Sequence, residues 1–217
     1  MKKFKGFIFD IDGTLTSTNK LIFASFNHVT KKYLNKTLSD KEIIALFGPP
    51  EDVILKEWFG EKFEDAKKDY YEFYESSHNE YAQIFPGIKK ILQLIKAKNL
   101  PISIFTGKGR MTSEITLKKL GIYDYFDFIV TGDDVKNHKP SAEGIKMFLE
   151  KFKLEPEKVL MIGDAPSDIK AAREAGVSVA SVVWDSYAKD EVLKMQSDYV
   201  FHSVEELKEF IEQALTH

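Results

Sequence analysis

The chain has 217 residues, enough for one large α/β domain or for a domain carrying an inserted subdomain. With 43% hydrophobic residues, 30% charged residues and a formal charge of −3, it reads as an ordinary soluble globular protein with no electrostatic reason to bind nucleic acid or a membrane surface. Cysteine is absent, which excludes disulfides, thiolate zinc sites and thiol nucleophiles and fits a reducing cytoplasm.

The basic start, Met1-Lys2-Lys3-Phe4-Lys5, is not expected to be a signal peptide, because the apolar run after it breaks at Asp10. No stretch reaches the roughly 20 apolar residues that span a bilayer. The run Phe7-Ile8-Phe9 predicts one buried strand, closed by Asp10-Ile11-Asp12-Gly13-Thr14. Side chains at i and i+2 of a strand share a face, so Asp10 and Asp12 can reach one small volume. Gly13 permits the sharp turn that a β-branched residue resists. Two adjacent carboxylates repel unless a cation or a proton lies between them. The arrangement suits a divalent metal and a carboxylate nucleophile; the alternative is an Asp-rich turn in which Asp12 caps the loop.

Residues 18–82 carry helical periodicity and no convincing strand. Leu21, Ile22, Ser25, Phe26, Val29 and Tyr33 mark one face of an amphipathic helix. Shorter helices are predicted at 39–47 and 50–59, broken at Gly48-Pro49-Pro50. A longer one is predicted from 62 to about 79, with Tyr70, Tyr71, Phe73 and Tyr74 as the core stripe of a bundle. From Phe85-Pro86-Gly87 onward, helices at 87–98, 111–120, 141–152 and 167–175 alternate with apolar strands at 101–106, 128–131, 159–164 and 177–182. A short strand near 198–201 precedes the last helix. Such alternation predicts a parallel sheet covered on both faces: an α/β core of residues 1–17 and 83–217, with an all-helical insert at 18–82.

Open parallel sheets bind ligands beyond the carboxyl ends of their strands. The second strand ends in Thr106-Gly107-Lys108-Gly109 before a helix, where a hydroxyl and free amides make a phosphate cradle or ordinary capping. Lys139-Pro140 is expected to open a helix, proline in its first turn, and the lysine can neutralise repulsion between a carboxylate and a phosphate. A solvated surface lysine is the plainer reading. Gly163-Asp164-Ala165-Pro166-Ser167-Asp168 closes another strand. Asp164 can join Asp10 around one cation, and Asp168 can position Asp164, Lys139 or a metal-bound water. Sulfur-free oxygen ligation points to Mg²⁺.

Together these elements closely resemble the haloacid dehalogenase superfamily, in order and spacing, over essentially the whole chain. Asp10-Ile11-Asp12-Gly13-Thr14 is similar to its first motif, Thr106 to the second, Lys139 to the third, and Gly163-Asp164 with Asp168 to the fourth. The resemblance implies a Rossmann-like core and, in the insert, the small helical cap of the phosphoglycolate phosphatase and β-phosphoglucomutase branch. It implies that Asp10 attacks phosphorus to form an aspartyl-phosphate, and that Asp12 protonates the leaving oxygen and later deprotonates water. It implies that Thr106, Gly107 and Lys139 hold phosphoryl oxygens, and that Mg²⁺ sits among Asp10, the Asp12 carbonyl and Asp164, with Asp168 beside them.

Asp12 argues against a dehalogenase or a phosphonatase. A mutase is disfavoured because the hinge histidine of β-phosphoglucomutases is replaced by Ile22 and the insert contains no arginine, leaving no guanidinium clamp. A phospho-receiver signalling module, or a binding protein with a vestigial site, fits less well than a hydrolase of small phosphorylated metabolites acting as a monomer or weak homodimer. The loop Phe47-Gly48-Pro49-Pro50-Glu51-Asp52 resembles the phosphoglycolate phosphatase and inorganic pyrophosphatase lines. Gly48 and Glu51 are therefore expected at the leaving group, with no cation nearby; alternatively the loop only joins two helices. Arg110 is the candidate partner for a distal anion, or a surface arginine. His138, Asp133 and Asp134 are expected in loop and capping roles.

Overall fold

The computed structural model describes residues 3–216, so the reading of Met1-Lys2 lies outside the described residues. In chain order, β1 (Gly6–Phe9) leads to β2 (Thr16–Ser17). The helices α1 (Asn19–Leu34), α2 (Asp40–Ile44), α3 (Glu51–Phe59) and α4 (Phe63–Tyr81) follow, and β3 (Gln83–Ile84) closes the segment. Then come α5 (Ile88–Lys96), β4 (Ile102–Phe105), α6 (Arg110–Lys119), β5 (Phe128–Val130) and α7 (Glu143–Phe152). The chain ends in β6 (Val159–Gly163), α8 (Pro166–Ala175), β7 (Ser178–Val182), α9 (Lys189–Lys194), β8 (Tyr199–Phe201) and α10 (Val204–Thr216). No helix among the described residues is long and apolar enough to cross a membrane.

Six strands form one parallel sheet in the order β5-β4-β1-β6-β7-β8, a doubly wound topology whose direction reverses beside β1. Phe7 registers with Ile102 on one side and Leu160 on the other, so β1 is hydrogen-bonded along both edges and buried throughout. Alternation sorts its side chains. Phe7 and Phe9 join the core under α5, α6 and α10, whereas Ile8 joins the core under α7 and α8. Ile88, Ile91, Leu92 and Ile95 give α5 its buried stripe, at the spacing of one helical face.

Helices α1–α4 build a separate core around Leu21, Phe26, Val29, Leu55, Tyr70 and Tyr74. Their two connections pair with each other: Thr16 with Ile84 and Ser17 with Gln83, antiparallel. A two-residue ribbon has no readable period, which is why sequence showed only linkers there. The six-residue α9, with Val192 alone fully buried, was hidden for the same reason. Helix α7 begins at Glu143 rather than at Pro140, a correction to the predicted start. The Glu143 carboxylate accepts the amides of Lys136 and Asn137, both at 2.9 Å, and so holds the preceding residues in a turn. The Lys139–Pro140 peptide in that turn is cis.

Gly144 lies where α7 crosses β4, and a Cβ there would sit 2.4 Å from the Phe105 ring. Helix propensity alone favours alanine by about 1 kcal/mol, but overpacking costs about 1–3 kcal/mol. Gly144→Ala is therefore expected to destabilise the fold, read as a lowered denaturant midpoint at unchanged m-value.

Candidate active site

The carboxyl edge of the sheet collects the acids. Asp10 follows β1: its N–H donates to the Ile162 carbonyl at 2.9 Å, and its Oδ1 accepts from the Ile11 N–H at 2.8 Å. Its Oδ2 lies 3.2 Å from Lys139 Nζ, which also donates to Asp168 Oδ1 at 2.6 Å. The other oxygen of Asp168 accepts from the Ala165 N–H at 3.0 Å, at the start of α8. Asp164 leaves the tip of β6, where Thr14 Oγ1 donates to its carboxylate at 3.3 Å and Ser186 Oγ to its carbonyl at 2.5 Å. Gly13, with φ +77°, is tied to this geometry. A Cβ on it would fall 2.4 Å from Asp164 Oδ2, so only glycine lets the turn and the acid coexist.

Asp10, Asp164 and Asp168 each offer an oxygen within 4.8 Å of the others, and all three are buried. One ammonium faces three carboxylates. Burial raises the Asp10 pKa from 3.8 to about 6, with Lys139 opposing the shift and Asp168 and Asp12 adding to it. Burial, then Asp10 and Asp168, pushes Asp164 well above the usual carboxylate range. Burial disfavours the Lys139 ammonium, but Asp10 and Asp168 more than restore it and hold its pKa above the usual value. An all-oxygen cluster short of positive charge is the donor set of a hard divalent cation.

Asp12 lives in a different setting. Thr18 Oγ1 donates to its Oδ1 in a close contact, and Lys108 Nζ lies 3.3 Å away. The Lys108 side chain is 5% exposed and its ammonium sits 4.9 Å above the Tyr74 ring. Burial lowers its proton affinity, but Asp12, Tyr74 and Glu51 raise it overall. Lys108 lines the same cavity as Gly48 and Glu51. In sequence it read as part of a backbone cradle; the turn after Thr106 swings its side chain toward Asp12. Thr18, just before α1, carries no comparable signal in the sequence. An isolated bridge between Asp12 and Thr16 puts the β2 connection beside the acid.

The helical insert roofs these groups. Between them lies a cavity of about 120 Å³, floored by Asp10, Asp12, Thr106, Lys139 and Asp164 and walled by Ile22, Phe26, Leu46, Phe47, Gly48, Ile54 and Tyr70. Tyr187, from the loop after β7, closes the side, its ring 5.3 Å from Phe47 and edge-on to it. Nothing in the sequence singled it out. His78 in α4 is fully buried with neither ring nitrogen partnered. Burial, with Lys108 and Lys119, pushes its pKa to about 4, so it is uncharged at neutral pH.

Glu51 borders the cavity, but its carboxylate does not point free toward a leaving group. Oε2 accepts from the Gly109 N–H at 2.8 Å and Oε1 accepts closely from Thr112 Oγ1. Arg110 is no distal anion partner: its guanidinium is bound to Asp134 and to the Ile129 carbonyl. Asp133 accepts the Arg110 N–H at 2.7 Å, and Asp134 accepts the Thr131 N–H and hydroxyl, both at 2.7 Å. Both are caps. His138 offers its carbonyl to Ser141, in the turn before α7.

A doubly wound sheet with an acid and lysine cluster at its carboxyl edge, under a helical roof, has the build of a Rossmann-like α/β enzyme with its site where the strand order reverses. The family model for haloacid dehalogenase-like hydrolases matches residues 7–182, and the chain belongs to that family, as an enzyme of its phosphatase kind. It is 34% identical to pyrophosphatase PpaX of Oceanobacillus iheyensis over 92% of this chain and 93% of that one. It is 30% identical to pyrophosphatase PpaX of Bacillus mycoides, over 92% and 93%. A "predicted phosphoglycolate phosphatase" of Haemophilus somnus has the same fold, with a TM-score of 0.86 over 97% of this chain and 99% of that one, at 22% identity.

Because the folded chain holds a proton on Asp10 up to about pH 6, while an unfolded aspartate releases it near 3.8, stability is lost as pH rises through this window. Protonation of buried His78 acts in the opposite sense, so the test is a difference between variants. In chelator, Asp10→Asn is expected to gain about 2 kcal/mol over wild type between pH 4 and pH 7, measured by denaturant unfolding at each pH.

Proposed function

We propose that the chain is a Mg²⁺-dependent hydrolase of small phosphate esters, phosphoglycolate phosphatase-like, working through an aspartyl-phosphate on Asp10. The observation that carries this reading is Lys139 Nζ bridging Asp10 Oδ2 and Asp168 Oδ1 beside Asp164, with Asp12 across the cavity. Asp10 attacks phosphorus, forming the acyl-phosphate bond as the ester P–O bond breaks, and Asp12 gives its proton to the departing oxygen. Asp12 then takes a proton from water as that water attacks phosphorus, and orthophosphate leaves with Asp10 regenerated. Thr106, Gly107 and Lys139 hold the transferring oxygens. Asp10, the Asp12 carbonyl and Asp164 are the ligands that would hold Mg²⁺, with Asp168 fixing Lys139. Bound there, the ion supplies charge neutralisation for the phosphoryl group, the main requirement of a loose transition state. In this reading residues 18–82 act as a cap that excludes water and residues 1–17 and 83–217 as the catalytic core, in a cytoplasmic monomer or weak homodimer.

A cavity of about 120 Å³ with a polar floor at Asp10, Thr106 and Lys139 favours a small phosphate ester. The distal wall is mainly apolar, with Lys108 as its one cation, which favours a leaving group of single negative charge. Inorganic pyrophosphate is the second reading, favoured by the relatives named pyrophosphatase PpaX. A mutase reading lacks support, because Ile22 stands in the wall and the insert supplies no arginine.

Turnover of a panel of phosphomonoesters and pyrophosphate is expected to require Mg²⁺, to vanish in chelator and to fall by at least ~10⁴-fold in Asp10→Asn, with the fold intact. Asp164→Ala is expected to raise the Mg²⁺ requirement or abolish activity. Full activity in excess chelator, or in Asp10→Asn, would overturn the reading.

A further inference from the structure

Helix α6 begins without a local cap: its first amide, that of Arg110, goes to Asp133, and nothing in the helix itself answers the Gly109 N–H. Its N-cap residue is Gly109, which has no side chain, and its third residue is Thr112, too short to reach back to the Gly109 N–H. The reciprocal pair that usually closes a helix start, an N-cap hydroxyl and an acid three residues on, is missing both halves. Glu51 supplies the acid from the other side of the cavity. It accepts the Gly109 N–H at 2.8 Å and the Thr112 hydroxyl, and it is 6% exposed. Glu51 is the first residue of α3, so the insert caps a helix of the core, with its negative charge at that helix's positive end.

The approach is built for this contact. A Cβ on Gly107 would lie 2.7 Å from the Gly48 carbonyl oxygen, one on Gly132 2.5 Å from Pro50 Cγ, and one on Gly109 3.0 Å from Glu51 Oε2. Three bare backbones in the core receive three consecutive features of one insert segment. The same few residues carry the phosphoryl cradle, since Thr106, Gly107 and Lys108 run directly into Gly109.

We propose that Glu51 is a positioning residue that sets the 106–109 loop in its phosphate-holding shape only when the insert is seated on the core. The proposal rests on the phosphohydrolase reading of the site, but it assigns Glu51 to the phosphoryl end of the reaction and not to leaving-group recognition. Loss of Glu51 therefore affects every phosphate substrate by one factor.

The experiment compares Glu51→Ala, Glu51→Gln and Thr112→Val with wild type in two measurements. The first is hydrogen exchange of the segment around Gly109. Glu51→Ala is expected to speed it while amides of the central strands stay protected. The second is kinetics over esters with different leaving groups. In Glu51→Ala, kcat/KM is expected to fall by about 100-fold, the scale of a 1 Å misplacement, equally for all substrates and at unchanged Mg²⁺ half-saturation. Glu51→Gln keeps an acceptor for Gly109 and is expected to recover to within about tenfold of wild type. Thr112→Val, which leaves Glu51 in place, is expected to fall between the two. Unchanged exchange at Gly109 in Glu51→Ala, or a loss that varies with the leaving group, would overturn the proposal. A wild-type chain that hydrolyses no phosphate compound would overturn the phosphohydrolase reading instead, and the exchange data would still decide whether Glu51 caps α6.

Discussion

The structure depends on one electrostatic problem: three carboxylates buried within 4.8 Å of each other, with one lysine among them. Water cannot screen them there, so each must be held against the repulsion of the others by covalent placement and hydrogen bonds. The sheet supplies the placement. Asp10 and Asp164 project from neighbouring parallel strands at the point where the strand order reverses, and Asp168 begins the helix after the second of them. Thr14, Ala165 and Ile11 spend their donors on these carboxylates, and Ser186 donates to the Asp164 carbonyl. A site kept this short of positive charge gains most from a bound cation.

The two acids that the sequence places side by side take different partners. Asp10 pairs with Lys139 beside Asp168, and Asp12 pairs with Lys108 and Thr18 on the insert side. Their charges still interact, Asp12 adding to the upward shift of Asp10, but each has its own lysine. The cation–π contacts reinforce the split, with Lys139 above Phe105 of β4 and Lys108 above Tyr74 of the insert.

Strand ends and helix faces were legible because they follow local period and composition. Phe7-Ile8-Phe9 before two aspartates, the Ile88-Ile91-Leu92-Ile95 stripe and the Gly-Pro-Pro break each encode their element within a few residues. What was not legible depends on contacts across the fold. Lys108 looked like any loop lysine until α4 brought Tyr74 over it. Tyr187 needed Phe47 opposite, and Arg110 was drawn off by Asp134 and the Ile129 carbonyl, 24 and 19 residues away in sequence. Glu51 lines the cavity, but the direction of its carboxylate is set by a glycine-capped helix 58 residues further along. Sequence reading locates the chemistry; it cannot assign partners for side chains whose neighbours come from another element.

Those long-range contacts converge on the junction between insert and core. The ribbon of β2 and β3 is two residue pairs long, too little to fix the insert alone. Its seat is completed by Glu51 on α6, by Tyr74 Oη paired with Thr116 Oγ1 at 2.7 Å and by Phe47 against Tyr187. The ribbon does not merely connect. Thr16 donates to the Ile11 carbonyl at 3.2 Å, and Thr18, which starts α1, holds the Asp12 carboxylate. Thr18 and Tyr74, both from the insert, thus bear on Asp12, the first directly and the second through Lys108. Asp10 and Lys139 take their positions from core partners instead, Ile162, Ile11, Asp168 and Phe105.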